Sequence, residues 1–269
     1  MLPTTYFPQH ADNRMANEGN VAASRANFLQ RRPSNLAFLL EQRYGWMNEY
    51  LTDASVAYEL GCGAGFGKEF IRAKNFRLTD VVAQPWVELE VDALRMPFEP
   101  GSVDALVCSH MIHHLAFPKR FFAEAARVLK PGGVILISEI QTSFVMRLLL
   151  RLMRHEGWSY DVDVFGEARP ANDPADPWSA NCAIPQLLFQ DPKKFEQQIP
   201  GFKVERNALT EFSIFPLSGG VIAKSKTIDL PRPVLRAFDL LDRALIALWP
   251  SMFAMGRRVV LRKTDARLH

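Results

Sequence analysis

The chain has 269 residues, 48% of them hydrophobic, and a formal net charge of only +3. That is enough apolar material for one sizeable core with additions. Its positive charge, 22 Arg and 10 Lys, is scattered rather than run together, which argues against a nucleic-acid partner. Three cysteines, Cys62, Cys108 and Cys182, are odd in number and lack metal-ligand spacing. They point to no metal, and a reducing cytoplasm fits them better than a disulfide framework.

Residues 1–32 read as loosely structured, and Met1 to Asn20 is polar, without the apolar core of a signal peptide. Asn35 to Leu51 predicts a helix carrying Leu36, Phe38, Leu39, Leu40, Tyr44, Trp46 and Met47, with Ser34 as its N-cap. The stretch from Ala57 to Gly67 is a short strand holding Glu59, then glycines alternating at Gly61, Gly63 and Gly65. Glycine admits φ > 0 and lacks the Cβ that would keep a ligand away from the backbone. The spacing differs from the G-x-G-x-x-G loop that seats a pyrophosphate. A carboxylate ahead of the turn suits a ligand with a positive group. Phe76 to Val81 reads as a second strand ending in Asp80, whose carboxylate can accept from ribose hydroxyls. Next come the turn Val91 to Phe98 with Asp92, Ala93 and Pro97, and a strand from Asp104 to His110 containing Ser109. Ala123 to Leu129 gives a helix, Lys130 to Gly133 a turn, and Val134 to Ser138 a strand.

In this order the segments resemble the class I S-adenosylmethionine-dependent methyltransferases of the type 11 branch, over roughly residues 55–140. The resemblance implies an α/β, Rossmann-like sheet with helices on both faces and S-adenosylmethionine at the carboxyl ends of its first strands. It implies Glu59, Gly61, Gly63 and Gly65 at the methionine end, Asp80 at the ribose, Asp92 and Ala93 at the adenine, and Ser109 beside the cofactor. Alternating strands and helices call for right-handed crossovers with a ligand at the switch point on independent grounds. Between Asp80 and Asp92, Gln84-Pro85-Trp86 interrupts any helix, so a crossover reduced to a turn or two is expected there.

Beyond the core, Ser143 to His155 predicts a helix with Val145, Leu148, Leu149, Leu152 and Met153 on one side and Arg147, Arg151 and Arg154 on another. Its bland reading is a helix packed on the core with a solvated arginine face. The sharper one is a lid, or a helix in peripheral contact with a membrane. Glu156 to Trp178 interleaves aromatic residues with acids, as a pocket for a polar or sugar-like molecule needs. A short helix ending at Ile199, strands at Phe202–Arg206 and Leu209–Pro216, a turn at Ser218-Gly219-Gly220, a helix from Val234 to Leu248 and an edge strand at Val259–Lys263 complete the reading. The apolar run from Ala244 to Met255 is broken by Pro250 and falls short of the ~20 residues a transmembrane span needs. The organisation expected is an N-terminal helical segment (1–54), a cofactor-binding core (55–141), an inserted substrate or lid region (142–200) and C-terminal strands and helix completing the sheet (201–269).

The C-terminal region, with His155-Glu156 and Asn181-Cys182-Ala183, is similar to that of methyltransferases of bacterial surface-polysaccharide synthesis. The function this implies is O-methylation of a sugar or glycolipid intermediate of the cell envelope. The alternatives are methylation of a small metabolite, quinone or lipid, and a non-catalytic partner subunit of the same fold. A hydroxyl acceptor calls for a general base, and His113 and His155 are the candidates, with His110, His114 and Glu139 behind them.

Overall fold

A computed structural model describes residues 2–8, 20–154, 156–221 and 227–264. Its strands are β1 (Thr5–Tyr6), β2 (Val56–Leu60), β3 (Asn75–Asp80), β4 (Leu89–Glu90), β5 (Val103–Ser109), β6 (Leu129–Ile140), β7 (Trp158–Ser159), β8 (Phe202–Thr210) and β9 (Gly256–Lys263). Its α-helices are α1 (Val21–Arg31), α2 (Ser34–Tyr44), α3 (Pro118–Val128), α4 (Phe144–Met153), α5 (Ile184–Phe189), α6 (Pro192–Gln198), α7 (Ile214–Leu217), α8 (Arg232–Leu248) and α9 (Pro250–Phe253).

One sheet runs β4-β3-β2-β5-β6-β9-β8, while β1 and β7 pair separately. From β4 to β6 the neighbours are parallel; β9 runs antiparallel to both β6 and β8. Central strands buried on both faces need unbroken apolar runs rather than alternation. Ala105 to Cys108 and Ile135 to Ile137 meet that need, all fully buried. On one face α3 turns Phe121, Phe122, Ala125 and Val128 inward, where Phe122 meets the rings of Phe121, Phe189, Phe195 and Phe202. The opposite face is covered by α1, α2, α7 and α8.

That second face departs from expectation. The chain between β2 and β3 forms only a short 3-10 turn, Phe66–Glu69, whereas the lack of a helix between β3 and β4 agrees with the reduced crossover expected from Asp80 to Asp92. The amino-terminal helices fill the vacant layer: Phe28 packs edge-on against Phe66 at 4.9 Å. So α1 lies in a region expected to be loose, and the side chain of Asn20 caps it by accepting from the backbone N–H of Ala23. Pro33 rather than Ser34 occupies the N-cap of α2, and that helix ends at Tyr44 in a 3-10 turn, Gly45–Glu49.

Two C-terminal expectations are corrected. Leu209 to Pro216 is not a separate strand: β8 runs through Thr210, Glu211 takes a left-handed φ of 57°, and α7 begins at Ile214. Asp242 of α8 enforces this break, accepting from the backbone N–H of Phe212 and Ile214 and the hydroxyl of Ser213. The strand at Val259–Lys263 is interior rather than an edge; β8 is the edge. Val259, Val260 and Leu261 are all fully buried, as an interior position demands. Among the described residues, no helix is long and apolar enough to cross a membrane.

Candidate active site

The strand order reverses direction between β2 and β5, and an open α/β sheet forms its crevice at such a point. A cavity of about 480 Å³ lies there. Gly61, Cys62, Gly63 and Ala64 after β2, Asp80 ending β3, Asp92 and Ala93 after β4, and Ser109 ending β5 line it. Gly61 has φ 65°, and a Cβ there would stand 2.5 Å from Met111 Cγ, so this position admits only glycine. At Gly63, φ 49°, an added Cβ would meet nothing within 4 Å. The loop is pinned from several sides. Asp80 accepts from the backbone N–H of Gly63 and of Val82, at 2.8 and 3.0 Å. Trp86 Nε1 donates to the Gly63 carbonyl, and Arg25 of α1 donates to the carbonyls of Ala64 and Gly65 while lying over the Trp86 ring.

Two predicted residues do not reach the cavity wall. Glu59 is fully buried beneath the loop, where it accepts from the Tyr44 hydroxyl at 2.7 Å and crowds against Gly67. Burial raises its carboxyl to about 8, Tyr44 opposes the rise, and Asp80 adds to it. Gly65, φ 67°, faces inward: a Cβ there would strike Trp86 and Leu78. Glu59 and Gly65 thus shape the loop from behind.

Past β5 the chain turns sharply, with His110 at φ 55°, and brings His113 and His114 to the same cavity. Glu139 at the end of β6 organises this corner. It accepts from the backbone N–H of Ile112 at 2.6 Å and of Ile140 at 3.0 Å, and pairs with His113 Nδ1 at 2.7 Å. His113 Nε2 lies 3.6 Å from Glu156 Oε2, and His114 Nε2 lies 4.0 Å from Glu156 Oε1. Burial alone would push His113 down, but Glu139 and Glu156 outweigh it and hold the imidazole up at about 10. Held between two carboxylates, His113 is biased toward its charged form, which weighs against the general-base role expected of it. His114 is held down at about 4 by burial and by the charge on His113. His155 lies outside the described residues.

The remaining walls come from distant segments. Met146, Leu149, Leu150 and Met153 of α4, Asp173, Asp176 and Trp178, and Phe215 with Val221 line the same cavity. Arg147 and Arg151 lie over the rings of Tyr160 and Tyr6, so both arginines of α4 meet aromatic faces. Sequence reasoning missed Arg25, Trp86 and Tyr44 as loop supports. Trp86 follows a proline in a segment too short for a helix, which was the one available signal.

Residues 58–137 match the family model of a methyltransferase domain. The chain is 27% identical over 126 residues to the ubiquinone biosynthesis O-methyltransferase of Cupriavidus pinatubonensis, covering 40% of this chain and 50% of that one. It is 32% identical over 149 residues to the ubiquinone/menaquinone biosynthesis C-methyltransferase UbiE of Rhizobium rhizogenes, covering 55% and 51%. The chain thus spans about half the length of these curated relatives. A SAM-dependent methyltransferase from Archaeoglobus fulgidus shares the fold, with TM-score 0.51 and 17% identity over 88% of this chain and 98% of that one. Residues 58–137 therefore match a methyltransferase domain, set in a class I α/β fold.

Proposed function

We propose that the protein is an S-adenosylmethionine-dependent methyltransferase whose acceptor is a small amphiphile with an apolar, quinone-like or lipid body. The observation that carries this reading is the acceptor wall, where Met146, Leu149, Leu150 and Met153 of one helix and Phe215 share a cavity with the glycine loop. An apolar wall recognises an apolar body, and water kept from it favours a reaction in which charge is neutralised.

The other end fits the cofactor. Open space before Gly63 admits a ligand against the backbone, and carboxylates stand at Asp80 and Asp92. In this reading Gly61, Gly63 and Ser109 face the methionine moiety, Asp80 accepts from the ribose, and Asp92 with Ala93 meets the adenine. Glu59 and Gly65 keep the loop in shape. When bound, the cofactor supplies an electrophilic sulfonium methyl. The protein's part is to hold the acceptor in line and dry, and positioning alone supplies much of such a rate. His113, charged and fixed by Glu139, orients the polar end of the acceptor rather than taking its proton.

Two further observations support an acceptor from a lipid phase. The outer side of α4 leaves Phe144, Leu148 and Leu152 exposed, and α9 packs against that helix. Just before α9, Leu248 and Trp249 are exposed as well. This reading includes peripheral membrane contact through these faces. A sugar or glycolipid acceptor is the second reading, favoured by Asp173, Asp176 and Trp178 on the same cavity.

The test is transfer of a labelled methyl group from S-adenosylmethionine to demethylated quinone precursors in vesicles, with nucleotide sugars and glycolipids in parallel. Methylation of the apolar series alone supports the first reading, and of the glycans alone the second. Tight cofactor binding without turnover on either series would point to a partner subunit.

A further inference from the structure

We propose that His113, His114 and Glu156 form a binding site for one divalent transition-metal ion of the zinc or manganese class, on the acceptor side of the cavity. The donor atoms of these three residues lie within 4.8 Å of one another. The gaps between them are informative. At 3.6 and 4.0 Å, the two Nε2-to-carboxylate separations are too long for hydrogen bonds. Ligand atoms around an ion with bonds of about 2.0–2.1 Å stand roughly 3.3 Å apart in a tetrahedral site, which is nearer to what is seen.

The rings are also oriented as ligand rings are. His114 Nδ1 faces the Ser179 carbonyl at 3.1 Å; a carbonyl only accepts, so the proton sits on Nδ1 and the Nε2 lone pair points toward Glu156. His113 Nδ1 faces Glu139, which two backbone N–H groups hold in place. A ligating histidine whose other nitrogen donates to a carboxylate or a carbonyl is the usual support around a metal. Glu156 is itself steadied by the Cys182 thiol, 3.2 Å from Oε2.

Two imidazoles and one carboxylate suit zinc, manganese or ferrous iron rather than calcium or magnesium. Three protein ligands leave positions open, and all three residues line the cavity. An acceptor oxygen would take an open position, a role that rests on the methyltransferase reading; the metal site itself does not.

The experiment is calorimetric titration of chelator-stripped full-length protein with Zn²⁺ and with Mn²⁺, with elemental analysis of the purified protein. It is repeated on His114→Ala and Glu156→Gln, and S-adenosylmethionine affinity is measured on all three proteins. The expected result is one ion per chain at micromolar or tighter Kd. Both variants should weaken it at least 100-fold and leave cofactor affinity within threefold. Glu139→Gln, which removes the carboxylate charge facing His113 Nδ1, should weaken it about 10–100-fold. No binding to the wild type, or equal binding to the variants, overturns the site. Metal binding without cofactor binding would leave the site standing and sink the methyltransferase reading.

Discussion

The two ends of the cavity are built on different principles. The end proposed for the cofactor is made of strand ends close together in sequence, from Gly61 to Ala93 with Ser109, and it works through backbone shape. Positive φ at Gly61 and Gly63 and the amide of Gly63 on Asp80 fix its geometry. The end proposed for the acceptor is assembled from α4, the loop around Trp178 and the segment from Phe215 to Val221, and it works through side-chain volume. A site made of backbone shape tolerates few residue types and leaves a recognisable spacing. A wall made of volume accepts any apolar residue of suitable size and leaves almost none.

A buried ion pair ties α2 to the break after β8. Arg43 of α2 donates through Nε and Nη2 to both carboxylate oxygens of Glu211, at 3.0 and 2.7 Å. Arg43→Ala strands that carboxylate in the core and should cost about 3–5 kcal/mol of stability, read by urea unfolding. A loss under 1 kcal/mol would mean that the pair does little to hold α2 against that break.

Next in size is a pH effect confined to the cofactor end. Glu59 keeps its proton in the folded chain up to about 8, whereas an ordinary carboxyl loses it near 4.5. Between those values the folded state binds the extra proton, so stability falls as pH rises, by up to ~1.4 kcal/mol per pH unit. Glu59→Gln should flatten that part of the wild-type slope between pH 5 and 8. Equal slopes in the two proteins would mean that Glu59 is ionised throughout.

Smaller effects separate the ends directly. Asp80→Ala removes the acceptor for the Gly63 amide and should weaken S-adenosylmethionine binding about 10–100-fold, roughly 1.4–2.8 kcal/mol. Leu149→Ser should leave cofactor affinity within twofold and raise the KM of an apolar acceptor about tenfold, from lost apolar contact. A reversed pattern in this pair would erase the distinction between the ends.

That distinction also explains what could be read in advance. The parallel strands, the glycine loop and the carboxylates Asp80 and Asp92 were legible because each is set by local backbone demands. The inward turn of Glu59 was not, because it depends on Tyr44 from another element. The break at Glu211 depends on Asp242 and Arg43, both far along the chain. The interior place of β9 had a signal that went unused, since Val259-Val260-Leu261 is a continuous apolar run rather than an alternating one. The charge on His113 needed two carboxylates brought together by folding, one of them 43 residues away, and no spacing announces that.

The most direct test of the central claim is calorimetric titration with S-adenosylmethionine of the wild type, Gly61→Val and Leu149→Ser. One site of micromolar Kd in the wild type, lost in Gly61→Val and retained in Leu149→Ser, is the result expected. No binding to the wild type, or binding that survives at Gly61→Val, would contradict a cofactor site built on that loop.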